Sequence, residues 1–369
     1  MANSFAQNTT HKVVVNFLSV ATRVGLRLTL TIALVAPLFS GCANDAPSAQ
    51  PGPSVSLLNA SYDPTRELYR ELNEAFTQAW TAEHPGTLEI RQSHGASGSQ
   101  ARAVIDGLEA DVVSLALWTD TDAIRKKGLI TPGWEDRLPH RSLPYHSTIV
   151  FVVRKGNPKN VRDWPDLVRG NISIIAPNPK TSGNGKLAFL AAWGSVIKGG
   201  GDEEAARDFV TRLYSRIPVL DTGARGSTTT FAQKGIGDVH LTWESEAQLE
   251  IRESGGELEL VYPTTSFLAE PHVALVDAVV DRRQTREVAE AYLQFLYSAP
   301  AQQIIARNHY RPNNPEVMEE HRAKFPAIDL IRITDVAANW DEAQGKFFAE
   351  GGVFDVIYQP GPERPSSDL

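Results

Sequence analysis

Four short stretches place small and polar residues just ahead of helical patterns: SYDPT around Asp63, HGASGS around Ser97, TSGNGK around Ser182 and TGARGS around Ala224. Three kinds of chemistry use such stretches. A serine on a sharp strand-to-helix turn can be a nucleophile. A glycine loop ending in Gly-Lys-Ser/Thr can cradle a nucleotide, and bare helix N-termini can hold an anion. The nucleophile pattern G-x-S-x-G fails at Ser97, because Ser99 stands where the second glycine belongs. The phosphate-loop pattern fails at both ends: Lys180 replaces its first glycine and Leu187 follows Lys186. The nine histidines include no HExxH and no metal-ligand spacing. An anion site remains. The first turn of a helix has unpaired N–H donors and a partial positive charge, and glycine and serine let a ligand approach the backbone. Taken singly, each stretch reads equally well as ordinary structure. Asp63 ahead of Pro64 has the form of a helix cap, and Arg225 that of a partner for an acidic neighbour.

The elements that must position these loops alternate. Runs rich in β-formers (SVSLLNA, TLEIRQS, ADVVSLAL, TIVFVVR, NISIIAP, IPVLD, DVHLTW, LELVYP, HVALVDAVV) are separated by amphipathic segments, such as the one carrying Leu68, Leu72, Ala75, Phe76, Ala79 and Trp80. This alternation predicts an α/β fold with a mostly parallel sheet. In such folds ligands sit beyond the carboxyl ends of the strands, where helices begin. There is no internal repeat. A chain of 369 residues, 42% hydrophobic and 22% charged, can build a large core or two domains. A net charge of −8 without any Lys/Arg run excludes nucleic acid as a partner class.

The N-terminus has the pattern of an export signal. Residues 1–41 contain Lys12, Arg23 and Arg27 and no acidic residue, and LTLTIALVAPLF, Leu28 to Phe39, is too short to span a bilayer. Cys42, the one cysteine of the chain, follows in FSGC, which resembles the lipobox of bacterial lipoproteins. That resemblance implies cleavage before Cys42 and lipid on its sulfur, although Phe39 stands where leucine is usual. Residues 42–54 are Pro/Ala/Ser-rich and are expected to be a flexible tether, and 359–369 a disordered tail.

Taken together, SYDPTREL, QSHGASGSQ, APNPKTSGNGK, LDTGARGSTTTF, GIGDVHLTWESEA and TREVAEAYLQFLYS resemble the periplasmic sulfate-binding proteins, the ligand-capturing components of ABC importers for sulfate and thiosulfate. The resemblance runs from about Val55 to Tyr358. It implies a type II periplasmic-binding-protein fold: two α/β lobes joined by two crossover strands, with the ligand in the cleft between them. The first lobe is expected at 55–147 plus 271–358 and the second at 148–270. The outgoing crossover is expected at Thr148 to Pro158 and the return near Thr264 to Val273.

By motif, the resemblance assigns backbone N–H donors to Asp63, Ser97, Gly183, Asn184 and Ala224, a hydroxyl to Ser182 and an indole N–H to Trp243. Lys186 and Arg225 are expected just outside this set. Asn184 stands where the family usually has a second glycine, and Lys186 where many members have arginine. The resemblance further implies a monomeric carrier, without enzymatic activity, cofactor or metal, that closes on its ligand by a hinge and serves a membrane permease. Molybdate, tungstate or phosphate remains open as the ligand, and a serine-dependent ester hydrolase as the remote alternative.

Overall fold

The computed structural model describes residues 54–358; the expected signal segment 1–41, Cys42, the rest of the expected tether and the expected tail 359–369 lie outside the described residues. All nine expected runs contain a strand, and they form two sheets. In the first sheet, Ser54–Tyr62 lies between Thr87–Gly95 and Val112–Leu115, parallel to both, and His272–Leu275 adds antiparallel to the edge. Leu57, Ala60, Val112, Val113 and Leu115 are fully buried, as expected of central strands covered by helices on both faces. Helix Arg66–Glu83 lays Leu68, Tyr69, Leu72 and Phe76 against this sheet at helical spacing.

The second sheet has the order Leu220–Asp221, Ile174–Pro177, Val239–Trp243, Ile149–Arg154, Leu258–Val261. Ile149–Arg154 pairs antiparallel on both sides and is buried along its length save for Arg154. The run expected to be the outgoing crossover is therefore a strand of the second sheet. Its apolar sequence reflects burial on both faces, which a short passage between lobes does not need. Residues 145–148 lead into this strand.

The return passage lies alongside it. Ser147 and Ala269 exchange two backbone hydrogen bonds of 2.9 Å each. The Thr148 hydroxyl donates to the Phe267 carbonyl (2.9 Å) and the Ser266 hydroxyl to the Ile149 carbonyl (2.6 Å). Two further short pairings were not legible in the sequence: Arg311–Pro312 on Tyr145–His146, and Asp329–Ile331 on Thr265–Phe267. Strands of two or three residues carry no measurable periodicity.

The C-terminal part packs on the second sheet's side of the chain. Helix Gly183–Lys198 is apolar on every side, with Leu187 through Trp193 all essentially buried. The second sheet can cover only one of its faces, and a helix of this kind needs a second cover. That cover comes from the chain end. Phe347 and Phe348 pack on Phe189 at 5.6 and 5.4 Å between ring centroids, and Phe354 packs on Tyr214 at 5.3 Å. Ile331 fills the space over Gly194. Residues from about 329 onward thus pack against the helix that follows the second sheet's strand Ile174–Pro177. Among the described residues no helix is long and apolar enough to cross a membrane.

Phe347 is fully buried in this cover. Phe347→Ala should lower the unfolding free energy by about 3–5 kcal/mol, the usual cost of emptying a buried aromatic site. Urea denaturation monitors it, and an unchanged midpoint would show that the chain end is not part of the folded second lobe.

Candidate functional site

The strand-end loops converge on one small cavity. It is lined by Tyr62, Asp63, Pro64, Ala96, Ser97, Ala116, Ser182, Gly183, Asn184, Ala224 and Trp243, so all seven expected contact residues are brought together. Its volume is about 10 Å³. That is room for about one water-sized group, far below the roughly 300 Å³ at which drug-sized pockets begin, so any occupant is small.

Each donor is placed by a strand that ends and a helix that starts. Strand Ser54–Tyr62 runs directly into the turn Asp63–Thr65 and then helix Arg66–Glu83. The Asp63 carboxylate does not cap this helix. It accepts from the Arg66 guanidinium at 2.9 Å, which leaves the Asp63 backbone N–H at the first position of the helical segment. Strand Thr87–Gly95 leads through Ala96 to helix Ser97–Ile105, which begins earlier than its sequence suggests. The first backbone bonds of that helix come from Ser99 and Gln100 to the Ala96 carbonyl, so the Ser97 and Gly98 N–H groups precede the ladder.

In the second lobe, Ser182 caps helix Gly183–Lys198, and its hydroxyl oxygen accepts from the Gly185 N–H at 3.4 Å. The ladder begins with Lys186 N–H to Ser182 carbonyl, leaving the N–H groups of Gly183 and Asn184 ahead of it. The Asn184 side chain turns away and donates to the Leu241 carbonyl at 3.0 Å, so asparagine in place of glycine keeps its backbone donor. Ala224 opens the helical segment that runs from Ala224–Thr228 into Thr229–Gln233. Trp243 ends its strand, is 1% exposed, and lies against Tyr62 at 5.3 Å between ring centroids.

The electrostatics are those of a neutral cage. Among the described residues no Lys, Arg or His lines the cavity, and the one carboxylate that does, Asp63, is held by Arg66. Lys186 points elsewhere, donating to Gln344 at 2.9 Å near the Phe348 ring. It ties the start of this helix to the chain-end cover. Arg225 also stays outside. It binds Glu67, which follows a strand of the first sheet, and Glu246, which follows one of the second, each at 3.0 Å. Burial pushes the Glu246 carboxyl up to about 7 against the pull of Arg225. Burial also opposes the Arg225 charge, but Glu246 and Glu67 more than offset it and hold the guanidinium protonated.

The sequence reading missed Ala116 and Asp120. Ala116 follows strand Val112–Leu115, so the strand-end rule applied to that strand would have found it. The Ser97 hydroxyl donates to Asp120 at 2.5 Å and accepts from the Ala116 N–H at 3.0 Å. It is thus used on both sides and has no histidine partner to activate it.

Two glycines show how closely the sides approach. A Cβ on Gly183 would lie 2.5 Å from the Ala116 Cβ, and one on Gly223 would lie 2.6 Å from Asp63 Oδ2. Each pair joins a residue that follows a second-sheet strand to one that follows a first-sheet strand.

Comparison with known proteins agrees with this geometry. Residues 57–311 match the model of a family described as bacterial extracellular solute-binding protein. The chain is 51% identical over 305 residues to the sulfate-binding protein of Escherichia coli, covering 82% of this chain and 93% of that one. It is 48% identical over 336 residues to the thiosulfate-binding protein of Pseudomonas aeruginosa, covering 90% and 99%. Among solved structures it resembles the sulfate-binding protein SubI of Mycobacterium tuberculosis, with a TM-score of 0.73, 30% identity, and coverage of 80% and 99%.

Gly183→Ala tests the closeness of the two sides. Gly183 has an ordinary helical conformation, so alanine suits the separated lobes, but its methyl meets Ala116 when they close. Overpacking of this kind costs about 1–3 kcal/mol, so anion affinity should fall about 5–150-fold. The urea midpoint of the ligand-free protein should not fall. Affinity equal to that of the parent would mean that the approach seen here is not the bound arrangement.

Proposed function

The chain belongs to the bacterial extracellular solute-binding proteins, in the branch of sulfate- and thiosulfate-binding proteins of ABC importers, and on that footing we propose that its cavity binds sulfate as a bare dianion. The protein is a carrier and not an enzyme. The observation that carries the ligand reading is a cavity without a cationic side chain, lined by the residues that open four helical segments, Asp63, Ser97, Gly183 and Ala224, together with Ser182 and Trp243.

Sulfate only accepts hydrogen bonds. Phosphate keeps a proton near neutral pH, the second pKa of phosphate esters being about 6. That proton would need an acceptor, and the side chains of the lining offer few: the Asp63 carboxylate, one oxygen of which is taken by Arg66, and the Asn184 amide oxygen. An unsatisfied buried group costs about 1–3 kcal/mol. Net charge does not recruit the anion, since the chain is acidic overall. Local dipoles must hold it in a dry cleft.

Asp63 and Ser97 belong to the first lobe, and Ser182, Gly183, Asn184, Ala224 and Trp243 to the second. Hinge closure about the paired passages near Ser147 and Ala269 brings both sets onto one ion. The lobe boundaries we propose are these passages, with the chain from about 329 onward assigned to the second lobe. Cys42 is the lipid-bearing residue in this reading. It anchors a monomeric carrier to the membrane outside the cytoplasm, next to the permease that receives the ion.

Calorimetric titration of protein dialysed free of sulfate, with sulfate, thiosulfate, molybdate and phosphate at two pH values, tests the ligand. Sulfate should bind tightly and independently of pH, and phosphate should give no heat. Phosphate or molybdate binding more tightly than sulfate would overturn the specificity while leaving the fold intact.

Ser97→Pro tests the two-lobe contact. Proline is tolerated at the first helical position but deletes the N–H. Against a Ser97→Ala control, which keeps that donor, proline should cost roughly 1.5–3 kcal/mol, the contribution of a hydrogen bond to a charged group. Equal affinities in the two variants would remove Ser97 from the contact set.

A further inference from the structure

A second cavity lies between the lobes, away from the anion site. Its volume is about 450 Å³, well inside the range of organic-ligand pockets. One wall carries Trp118 and Glu135, from the stretch that follows the first-sheet strand Val112–Leu115. The opposite wall carries Trp340 and Asp341, from the chain end that covers the second lobe; Trp340 lies edge-on to Phe267 at 5.9 Å. Glu270 and His272 come from the return passage between the lobes. At its rim Lys126 binds Asp341 at 2.8 Å and so joins the two walls.

We infer that this cavity is a binding site for a small organic cation, an ammonium group on an apolar body, and that its occupancy is coupled to lobe closure. The lining supplies what such a ligand lacks. The carboxylates of Glu135 and Asp341 are engaged, by the Trp118 indole N–H at 3.0 Å with Arg141 at 2.6 Å, and by Lys126. The Glu270 carboxylate has no hydrogen bond or ion pair among the described residues; the backbone of Glu270 bonds the His272 ring. Burial pushes its carboxyl up more than Arg332 and Arg141 pull it down. His272 is 6% exposed and its Nδ1 meets no partner. Burial holds its pKa down at about 3, so the ring is neutral and keeps an acceptor nitrogen.

Arg141, the one cationic side chain of the lining, is held by Glu135 at 2.6 Å, and the remaining carboxylate, a neutral imidazole and two indole rings form an acceptor-rich, aromatic lining that suits a cation. No group of three or more His, Cys, Asp or Glu among the described residues is placed to hold a metal ion, which favours an organic cation. The occupant would touch both lobes and the passage between them. It must therefore bind the open and closed forms with different affinity, and by linkage it shifts anion affinity by the same factor. The coupling, but not the binding itself, rests on the function proposed above.

The test is titration of the protein with benzylamine, alongside benzyl alcohol and phenylacetate, with and without saturating sulfate. Benzylamine should bind one-to-one with a dissociation constant of about 1 mM or tighter, and the neutral and anionic analogues should bind at least about 10-fold more weakly. Glu270→Gln and Trp340→Ala should each weaken benzylamine binding while leaving sulfate binding in the absence of amine intact. Sulfate should change the benzylamine affinity about 5-fold or more. Benzylamine that does not saturate, binds no better than benzyl alcohol, or ignores both substitutions overturns the site. Equal benzylamine affinity with and without sulfate overturns the coupling. Benzylamine binding in a protein that takes up no sulfate would sink the anion reading and leave the cation site standing.

Discussion

The constraint on which this structure depends, in the function proposed above, is the burial of a doubly charged anion without a counter-ion. Taking even a singly charged group into a dry interior costs of order 20 kcal/mol in the idealised limit. A hydrogen bond to a charged group returns only about 1.5–3 kcal/mol, so donors must be many and already in place. Helix starts meet both needs. Their N–H groups have no intrahelical partner and face the same way, and the helix dipole favours negative charge there. The fold directs several strand-to-helix turns at one point, and this sets the positions of both sheets.

The same constraint explains the residues around the cavity. Side chains there are small or turned away. Asp63 is tied to Arg66, the Asn184 amide nitrogen to a carbonyl and Ser97 to Asp120, so in the proposed site each is left to offer its backbone N–H. Gly183 and Gly223 lack the methyl that would keep the lobes apart. Charged groups sit one layer further out. Arg225 between Glu67 and Glu246 joins elements of both lobes without lining the cavity, and the bidentate pair of Arg311 with buried Glu244 fixes the residue that follows Trp243. A buried pair of this kind is a weak source of stability, but breaking it is expensive. Both pairs thus hold donors in place more than they stabilise the fold.

In the lobe division proposed above, three passages between the lobes give the hinge its form. Two of them are hydrogen-bonded side by side at Ser147 and Ala269, and the third carries the chain to the far side of the second lobe. That third passage leaves a large interlobe cavity walled by both lobes, which any hinge motion must reshape.

The sequence by itself determined the strands, the loops and the ligand class. Each is local: apolar runs, small residues before amphipathic segments, and long motifs in register that carry a family resemblance. The cover on helix Gly183–Lys198 was also present in the sequence as the unbroken run LAFLAAW, but such a run says only that a second cover exists and not which segment provides it. Only the tertiary structure decided that the cover is Phe347, Phe348 and Phe354, that Asp63 pairs with Arg66 in place of capping its helix, and that Asp120 orients Ser97. These are contacts between residues distant in the chain, or choices between partners of equal local merit. Their outcome depends on which groups folding brings within about 3 Å of one another.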